Sequence, residues 1–179
     1  MQNTNFIIQF IGLVAVCFFI ACFQSRKRKD LLKLQITGAL LFALHFLLLG
    51  AMSGFIMNLI GAARGYTFLK IGPKNRNIAY LLFFITLFSA ATILSWQGAR
   101  SLLPLIGMTF GTLVYWQKHP SRSRMLVPLS TIPWFAYSYL TGSYPGMMVE
   151  VFVTLSAFIG IYRHDIPKRY RLRLARSFN

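Results

Sequence analysis

The stretch 144–162, YPGMMVEVFVTLSAFIGIY, is long enough to cross a membrane and contains Glu150, an acidic residue among apolar ones. The chain has three acidic residues, and the other two, Asp30 and Asp165, lie in the basic flanks of hydrophobic segments. A charge at the centre of a bilayer costs about 2.5–3.5 kcal/mol even on the mildest scales, so such residues usually face a cavity or a partner. The stretch therefore predicts a bundle of membrane helices with a polar site inside it.

Hydrophobic segments recur along nearly the whole chain of 179 residues. Hydrophobic residues make up 56% of the sequence, and no polar stretch is long enough to form a soluble domain. A bilayer core of about 30 Å requires a helix of about 20 residues. We therefore expect an all-α, polytopic protein that forms a single membrane domain over residues 1–179. Seven transmembrane helices are predicted, at 5–23, 31–50, 52–70, 78–96, 101–117, 125–141 and 144–162.

The basic residues cluster in alternate connections between these segments. Seventeen of the nineteen Lys and Arg residues follow the first, third, fifth and seventh segments, and the other connections contain only Arg100. This distribution follows the positive-inside rule, with the N-terminus outside and the basic tail 163–179 in the cytoplasm. No basic residue precedes the first segment, which indicates a retained helix rather than a signal peptide. The net charge of +16 therefore reflects topology beside a lipid bilayer, and we expect no nucleic-acid partner.

Two groups of three segments lie on either side of the single segment 78–96. Parallel repeats that each contain an odd number of helices need one additional helix between them to keep the same orientation. We therefore predict a 3+1+3 arrangement, in which two parallel triple-helix bundles, 5–70 and 101–162, are joined by a linker helix, 78–96.

The tight turns at Gly50 and Gly142 align with an offset of 92 residues, which also aligns Asn58 with Glu150. Each of these polar residues lies four positions after a glycine, on a helix face rich in small residues. Small residues let membrane helices approach closely, and a polar residue on such a face points into the protein. Asn58 and Glu150 are therefore predicted to bind a solute, and Glu150 is also a candidate for proton coupling.

The second helix of each bundle contributes further candidates. His45 aligns with Tyr137 at the same offset, and Phe42 aligns with Trp134. His45, Trp134 and Tyr137 are predicted to complete a pocket for a small, partly planar solute. Core packing is the alternative for Trp134 and Tyr137, and an interhelical hydrogen bond is the alternative for His45. Arg64 lies off the small-residue face, and we expect its side chain to extend to the headgroups rather than to pair with an anionic ligand.

The sequence contains no motif that would support enzymatic chemistry. It has no phosphate-binding loop, nucleophile elbow or zinc signature. Cys17 and Cys22 lie five residues apart on different helix faces, and the histidines are scattered, so neither a disulfide nor a metal site is predicted. We expect a protein that is not an enzyme and needs no cofactor.

The stretch 31–68, LLKLQITGALLFALHFLLLGAMSGFIMNLIGAARGYTF, resembles the YgjV-type bacterial inner membrane proteins. That resemblance covers most of the chain, and its layout is similar to the wider set of SWEET sugar carriers, PQ-loop transporters and PnuC vitamin-precursor transporters. It implies an inner-membrane location and a substrate between two triple-helix bundles. In SWEET carriers an asparagine on the third helix of each bundle faces the substrate; Asn58 matches one such position, and Glu150 departs from the other. The Pro-Gln signature is absent, because Phe23 and Trp116 stand before the two glutamines.

The leading hypothesis is a transporter or facilitator of a small polar solute, such as a sugar or vitamin precursor, that works by alternating access at a mid-membrane site. The alternative is a non-transporting receptor, sensor or assembly factor in which Asn58 and Glu150 form a hydrogen-bonded pair between the bundles. Association into a homo-oligomer is left open.

Overall fold

The computed structural model describes residues 2–24, 27–72, 77–117 and 120–165. Within these ranges the chain is helical and contains no strand, which confirms the all-α prediction. The helices are α1 (Gln2–Gln24), α2 (Arg28–Leu48), α3 (Met52–Ile71), α4 (Ile78–Leu94), α5 (Leu102–Trp116), α6 (Pro120–Thr141) and α7 (Tyr144–Gly160). A 3-10 turn, Ala99–Ser101, precedes α5, and a π-helical turn, Ile161–Asp165, follows α7.

Three of the described helices have both the length and the hydropathy of a membrane span: Asn5–Cys22, Lys29–Leu48 and Tyr144–Arg163. α4 is apolar but has 17 residues, and α5 has 15. α3 and α6 are long enough but carry polar and basic residues, including Arg64 in α3 and Arg124 in α6. By length and composition alone, the seven predicted spans thus reduce to three clear ones.

The helix ends differ from the predicted segment ends most at α6. This helix begins at Pro120, five residues before the predicted segment 125–141. Its first turns are polar, so hydropathy does not detect them. The Ser123 hydroxyl donates to the Val114 carbonyl at 2.6 Å and holds the start of α6 against the end of α5. The helix then continues through both Pro128 and Pro133.

The helices pack in two groups that contact each other in an equivalent way. α1 packs on α2 and α2 on α3, just as α5 packs on α6 and α6 on α7. α4 lies against α3 and α5. The two groups meet where α1 packs on α7 and where α3 packs on α5. α1 and α3 are the first and third helices of one group, and α5 and α7 are the first and third helices of the other. Each interface therefore joins the first helix of one group to the third helix of the other. We call α1–α3 the first half and α5–α7 the second half.

The turns that join α2 to α3 and α6 to α7 have the same backbone geometry. Gly50 and Gly142 both have φ of 70°, a conformation that glycine adopts without steric cost. Ala51 donates its N–H to the Phe46 carbonyl at 2.8 Å, and Ser143, 92 positions later, donates to the Ser138 carbonyl at 2.8 Å. The predicted offset is therefore present in the backbone of both turns. We call this end of the molecule the turn end, and the opposite end, where α1 and α5 finish, the basic end.

Large apolar side chains cover the outside of the helices. Phe6, Leu94 and Tyr139 are each at least 70% exposed, and many other apolar residues are more than half exposed. Contiguous apolar exposure on this scale is unusual for a soluble monomer and is typical of a surface that meets lipid. Buried polar residues such as His45, Ser53 and Arg64 lie inside instead.

Candidate functional site

A cavity of about 440 Å³ lies between the first and second halves. All six helices of the two halves contribute to its wall, and α4 contributes none of it. This volume is in the range of small-molecule sites, which are mostly apolar with a few placed polar groups. The principal polar and charged residues of its wall are Gln35, Asn58, Arg64, Arg124, Ser130, Thr131 and Glu150.

The cavity extends toward the basic end of the molecule. Its wall includes Cys22 near the end of α1, Leu31 near the start of α2 and Arg124 near the start of α6. In the other direction the wall stops at Phe46, Ser138 and Gly146, below the two turns. The two ends of the cavity are therefore not equivalent.

Asn58 and Glu150 both line the cavity, as the aligned small-residue faces predicted. Asn58 is 8% exposed, and its Nδ2 donates to the Gly54 carbonyl of its own helix at 2.9 Å. Glu150 is half-buried in α7 and also borders a shallow outer groove between α6 and α7. Among the described residues no hydrogen bond joins Asn58 to Glu150, so the pair that the alternative hypothesis requires is not formed.

Trp134 is the third predicted residue in the cavity wall. Its side chain is 8% exposed, and its ring packs against Phe46 with centroids 5.9 Å apart. The close approach of α6 to α5 depends on Gly107, because a β-carbon at that position would collide with the Trp134 indole. The Trp134 indole thereby forms an aromatic part of the cavity wall.

His45 and Tyr137 are fully buried and are not part of the cavity wall. The His45 Nδ1 lies 2.8 Å from the Ile8 carbonyl and Nε2 lies 2.8 Å from the Ser143 hydroxyl. Because a carbonyl can only accept, Nδ1 carries a proton, and in the neutral ring Nε2 accepts from Ser143. The Tyr137 hydroxyl accepts the Gly54 N–H at 2.8 Å. His45 thus forms the interhelical hydrogen bond that was the alternative to solute contact.

The contacts of His45 and Tyr137 cross between the halves in the same way. The two residues are aligned by the 92-residue offset. His45, on α2, reaches the residue before α7, and Tyr137, on α6, reaches the first turn of α3. We call His45–Ser143 and Tyr137–Gly54 the crossed contacts. They tie the first half to the second at the turn end.

Further hydrogen bonds reinforce the turn end. The Gln9 side chain donates to the Gly142 carbonyl at 2.9 Å, and the Gln97 side chain donates to the Gly50 carbonyl at 3.0 Å. The carbonyls of the two equivalent turn glycines therefore both accept from a glutamine amide. The buried Ser53 hydroxyl adds a contact to Ser101 at 2.9 Å. These bonds close the turn end of the molecule.

Arg64 lies inside the protein, so the prediction that its side chain extends to the headgroups is wrong. The residue is 6% exposed, and its Nη1 donates to the Thr112 hydroxyl at 2.6 Å and the Met108 carbonyl at 3.2 Å. Its guanidinium carbon lies 4.8 Å from the Tyr115 ring centroid. α3 packs directly on α5, which brings these acceptors within reach. A signal was available, because Arg64 lies well inside a predicted span and has Gly61 and Gly65 beside it.

The apolar exterior, the long apolar helices and the buried polar cavity define an integral membrane protein of the all-α class. A family model of bacterial inner membrane proteins, Imp-YgjV, matches residues 6–168, and the chain belongs to this family. The predicted resemblance to YgjV-type proteins is confirmed, and the protein is a bacterial inner membrane protein. Searches of curated proteins and of solved structures found no match to the chain. The similarity to SWEET, PQ-loop and PnuC transporters stays a prediction.

Proposed function

We propose that this protein is a transporter or facilitator that moves a small polar solute across the bacterial inner membrane. The observation that carries the proposal is the asymmetric cavity between the halves. Polar and aromatic side chains line it, it extends to the basic end, and hydrogen bonds between the halves close it at the turn end. In alternating access, the solute site is open to one side of the membrane at a time. A cavity that is closed at one end and extends to the other has the form expected of one such state.

The proposed cycle opens the turn end by separating the crossed contacts and closes the basic end. Each neutral hydrogen bond contributes about 0.5–1.5 kcal/mol net, so the two crossed contacts together hold the turn end by about 1–3 kcal/mol. A difference of a few kcal/mol between two states leaves the minor state populated enough for a solute to select it. Opening the turn end also breaks the bond between Gln9 and the Gly142 carbonyl, and three such bonds still amount to a few kcal/mol, which is compatible with turnover.

The proposal includes the 3+1+3 layout with seven spans. The equivalent interfaces α1–α7 and α3–α5, and the identical turns at Gly50 and Gly142, support two parallel halves with α4 as the linker. The helices that fall short of a span by composition, α3 and α6, have polar residues that line the cavity rather than meet lipid. The basic loops support an orientation with the N-terminus outside. Cysteine accessibility at introduced loop positions in intact cells tests this layout directly.

Uptake into proteoliposomes tests the function. Purified protein is reconstituted and screened with radiolabelled sugars, polyols and organic acids, with and without an imposed proton gradient. Protein-free liposomes and liposomes with a disulfide-locked variant serve as controls. Gly12→Cys with Pro145→Cys places a cross-link between α1 and α7 beside the turn end, because a β-carbon at Gly12 would lie 2.9 Å from the Pro145 β-carbon, so that the turn end cannot open. We expect solute uptake that the lock abolishes and that reduction restores. Absence of uptake for every solute, together with absence of any ligand-induced thermal shift, would overturn transport.

The non-transporting alternative predicts a different result in the same preparation. A receptor or sensor on this scaffold would bind a ligand and show a thermal shift without moving the ligand across the membrane. Binding that persists in the locked variant, with no uptake in the unlocked protein, is the outcome that would favour it.

A further inference from the structure

The cavity wall contains a buried cation, the guanidinium of Arg64. Arg64 is 6% exposed, and its described partners are all neutral: a hydroxyl, a backbone carbonyl and the rings of Phe88 and Tyr115. Within the described part of the chain, it forms no ion pair with any carboxylate. A guanidinium stays charged in proteins, and buried charges inside a membrane protein are costly and usually paired. Arg64 therefore retains a positive charge inside the protein, and the described residues give it no anionic partner.

The guanidinium of Arg64 also has hydrogen-bonding capacity that the protein does not use. Its two described hydrogen bonds both come from Nη1. Its Nε is buried and has no acceptor. A buried donor without a partner is destabilising, and more so when the group is charged. A planar guanidinium binds a carboxylate or phosphate through two parallel N–H bonds, and Nε with one Nη is a pair that can make them.

The structure leaves space beside the guanidinium. A β-carbon at Gly111 would lie 3.2 Å from the Ser130 hydroxyl and 3.7 Å and 3.9 Å from Nη1 and Nη2 of Arg64, so a side chain at this position would lie against both the hydroxyl and the charged group. Gly61, Gly65 and Gly111 all line the cavity with Arg64. Arg64 and Gly111 line the same cavity of about 440 Å³, which supplies the space for a small anionic group beside the guanidinium.

Other residues of the cavity wall provide oxygen atoms that can accept hydrogen bonds from a solute. Gln35 lines the cavity, and its Oε1 is buried without a donor. The carboxylate of Glu150 lies further toward the turn end, since its aligned partner Asn58 is six residues before Arg64 on α3, a rise of about 9 Å. A solute that satisfies both regions carries an oxyanion at one end and hydroxyl or amino donors at the other.

We propose that Arg64 is the anion-binding residue of the cavity, and that the solute is a small organic oxyanion that also bears hydroxyl or amino groups. This inference deepens the proposed function and rests on it for the cavity being the solute site. It names the chemical class of the solute, and it distinguishes this cavity from one that takes a neutral sugar.

Matched probes that differ in charge test the inference on the purified wild-type protein. Glycerol, glycerate and glycerol phosphate form one set, and glucose, gluconate and glucose phosphate form a second. Binding is measured by thermal shift and isothermal titration, and uptake is measured in proteoliposomes. We expect at least one oxyanion to bind and its neutral parent to bind at least about tenfold more weakly, because a hydrogen bond to a charged group is stronger than one between neutral groups. The carboxylate and phosphate arms decide which oxyanion the cavity accepts.

Variants of Arg64 connect the preference to this residue. Arg64→Gln should weaken oxyanion binding by about tenfold or more and bring it to the level of the neutral parent. Arg64→Lys keeps the charge but loses the planar fork, so it should give an intermediate loss. Arg100→Gln is the matched control, because Arg100 is exposed and lies outside the cavity wall. Size-exclusion profiles and melting curves identify any variant that fails to fold, and the wild-type comparison of charged and neutral probes does not depend on the variants.

The outcomes separate this inference from the proposed function. Uptake of a neutral solute that is unchanged in Arg64→Gln would overturn the anion site and leave transport standing. Oxyanion binding that requires Arg64, without uptake, would support the site and overturn transport. Absence of binding and of uptake for every probe counts against both.

Discussion

The two halves of the molecule share a backbone but differ in the charges they bring to the cavity. The turns at Gly50 and Gly142 have the same φ, and His45 and Tyr137, which make the crossed contacts, are related by the same offset, although their partners Ser143 and Gly54 are not. In the cavity wall, Asn58 of the first half corresponds to Glu150 of the second. Arg64 corresponds in the same way to Ser156, which also lines the cavity.

The two halves therefore have different relations at the turn end and in the cavity wall. Closure at the turn end depends on backbone geometry and on hydrogen bonds, and both halves contribute to it. The cavity places a guanidinium in one half and a carboxyl group in the other, so the two halves present different chemistry to whatever enters. A cavity with a guanidinium and a carboxyl group at different depths favours a solute with two chemically distinct ends.

The largest expected loss of stability comes from removing the crossed contacts, and the two contacts should differ in how much they contribute. His45→Leu removes two hydrogen bonds and leaves the Ile8 carbonyl and Ser143 hydroxyl buried without their partner, so it should lower the free energy of unfolding by about 2–4 kcal/mol. Tyr137→Phe leaves one buried donor, Gly54 N–H, without an acceptor and should cost about 1–3 kcal/mol. Unfolding in mixed micelles measures both changes.

A double-mutant cycle then shows whether the crossed contacts act as a unit. Coupling between His45→Leu and Tyr137→Phe is expected, because both rings pack on Phe46. Strict additivity would mean that the two contacts close the turn end independently. A smaller loss for His45→Leu than for Tyr137→Phe would contradict the hydrogen-bond assignment.

The next effect tests the symmetry of the turns. Gly50→Ala and Gly142→Ala each force a β-carbon into a left-handed conformation, at a cost of about 1–2 kcal/mol. No atom would lie within 4 Å of either added β-carbon, so strain alone sets the loss and the two variants should be equally destabilised. Gly61→Ala is the control for adding a methyl group in an ordinary helical position against a flexible methionine. If the two variants lost different amounts of stability, the two turns would not be equivalent despite their equal φ angles.

The smallest effect on stability is expected at Glu150. In the described part of the chain its carboxylate makes no hydrogen bond, so Glu150→Gln should change the free energy of unfolding by less than about 1 kcal/mol. If Glu150 couples a proton to transport, the same variant should remove the response of uptake to a proton gradient. Asn58→Asp is the matched change in the other half. Full retention of the gradient response in Glu150→Gln would exclude proton coupling through this residue.

Several features could be predicted because they depend on local pattern. Apolar segments predicted helices whose ends agree with the structure to within a few residues, except at α6, whose first turns are polar. Glycines at equal spacing predicted two equivalent turns. The small-residue faces predicted that Asn58 and Glu150 lie inside, and both line the cavity.

The remaining features depend on which helix lies opposite. Periodicity identifies residues that share a face of one helix, but it does not show what that face contacts. His45 and Tyr137 were predicted to contact the solute, and instead they bond across the halves, because α2 and α6 each come near the start of the other half's third helix. Arg64 was predicted to reach the headgroups, and instead it bonds to Thr112, because α3 packs on α5.

By itself, the sequence determined that this protein is an all-α inner membrane protein with two equivalent glycine turns 92 residues apart and polar groups that must avoid lipid. Those properties follow from composition, spacing and the cost of placing charge in hydrocarbon. Only the tertiary structure decided how the two halves meet, and thereby which polar residues close the turn end and which remain in the cavity. The physical reason is that a buried hydrogen bond requires a donor and an acceptor about 3 Å apart, and residues as distant in sequence as His45 and Ser143 reach that distance only after the halves have packed.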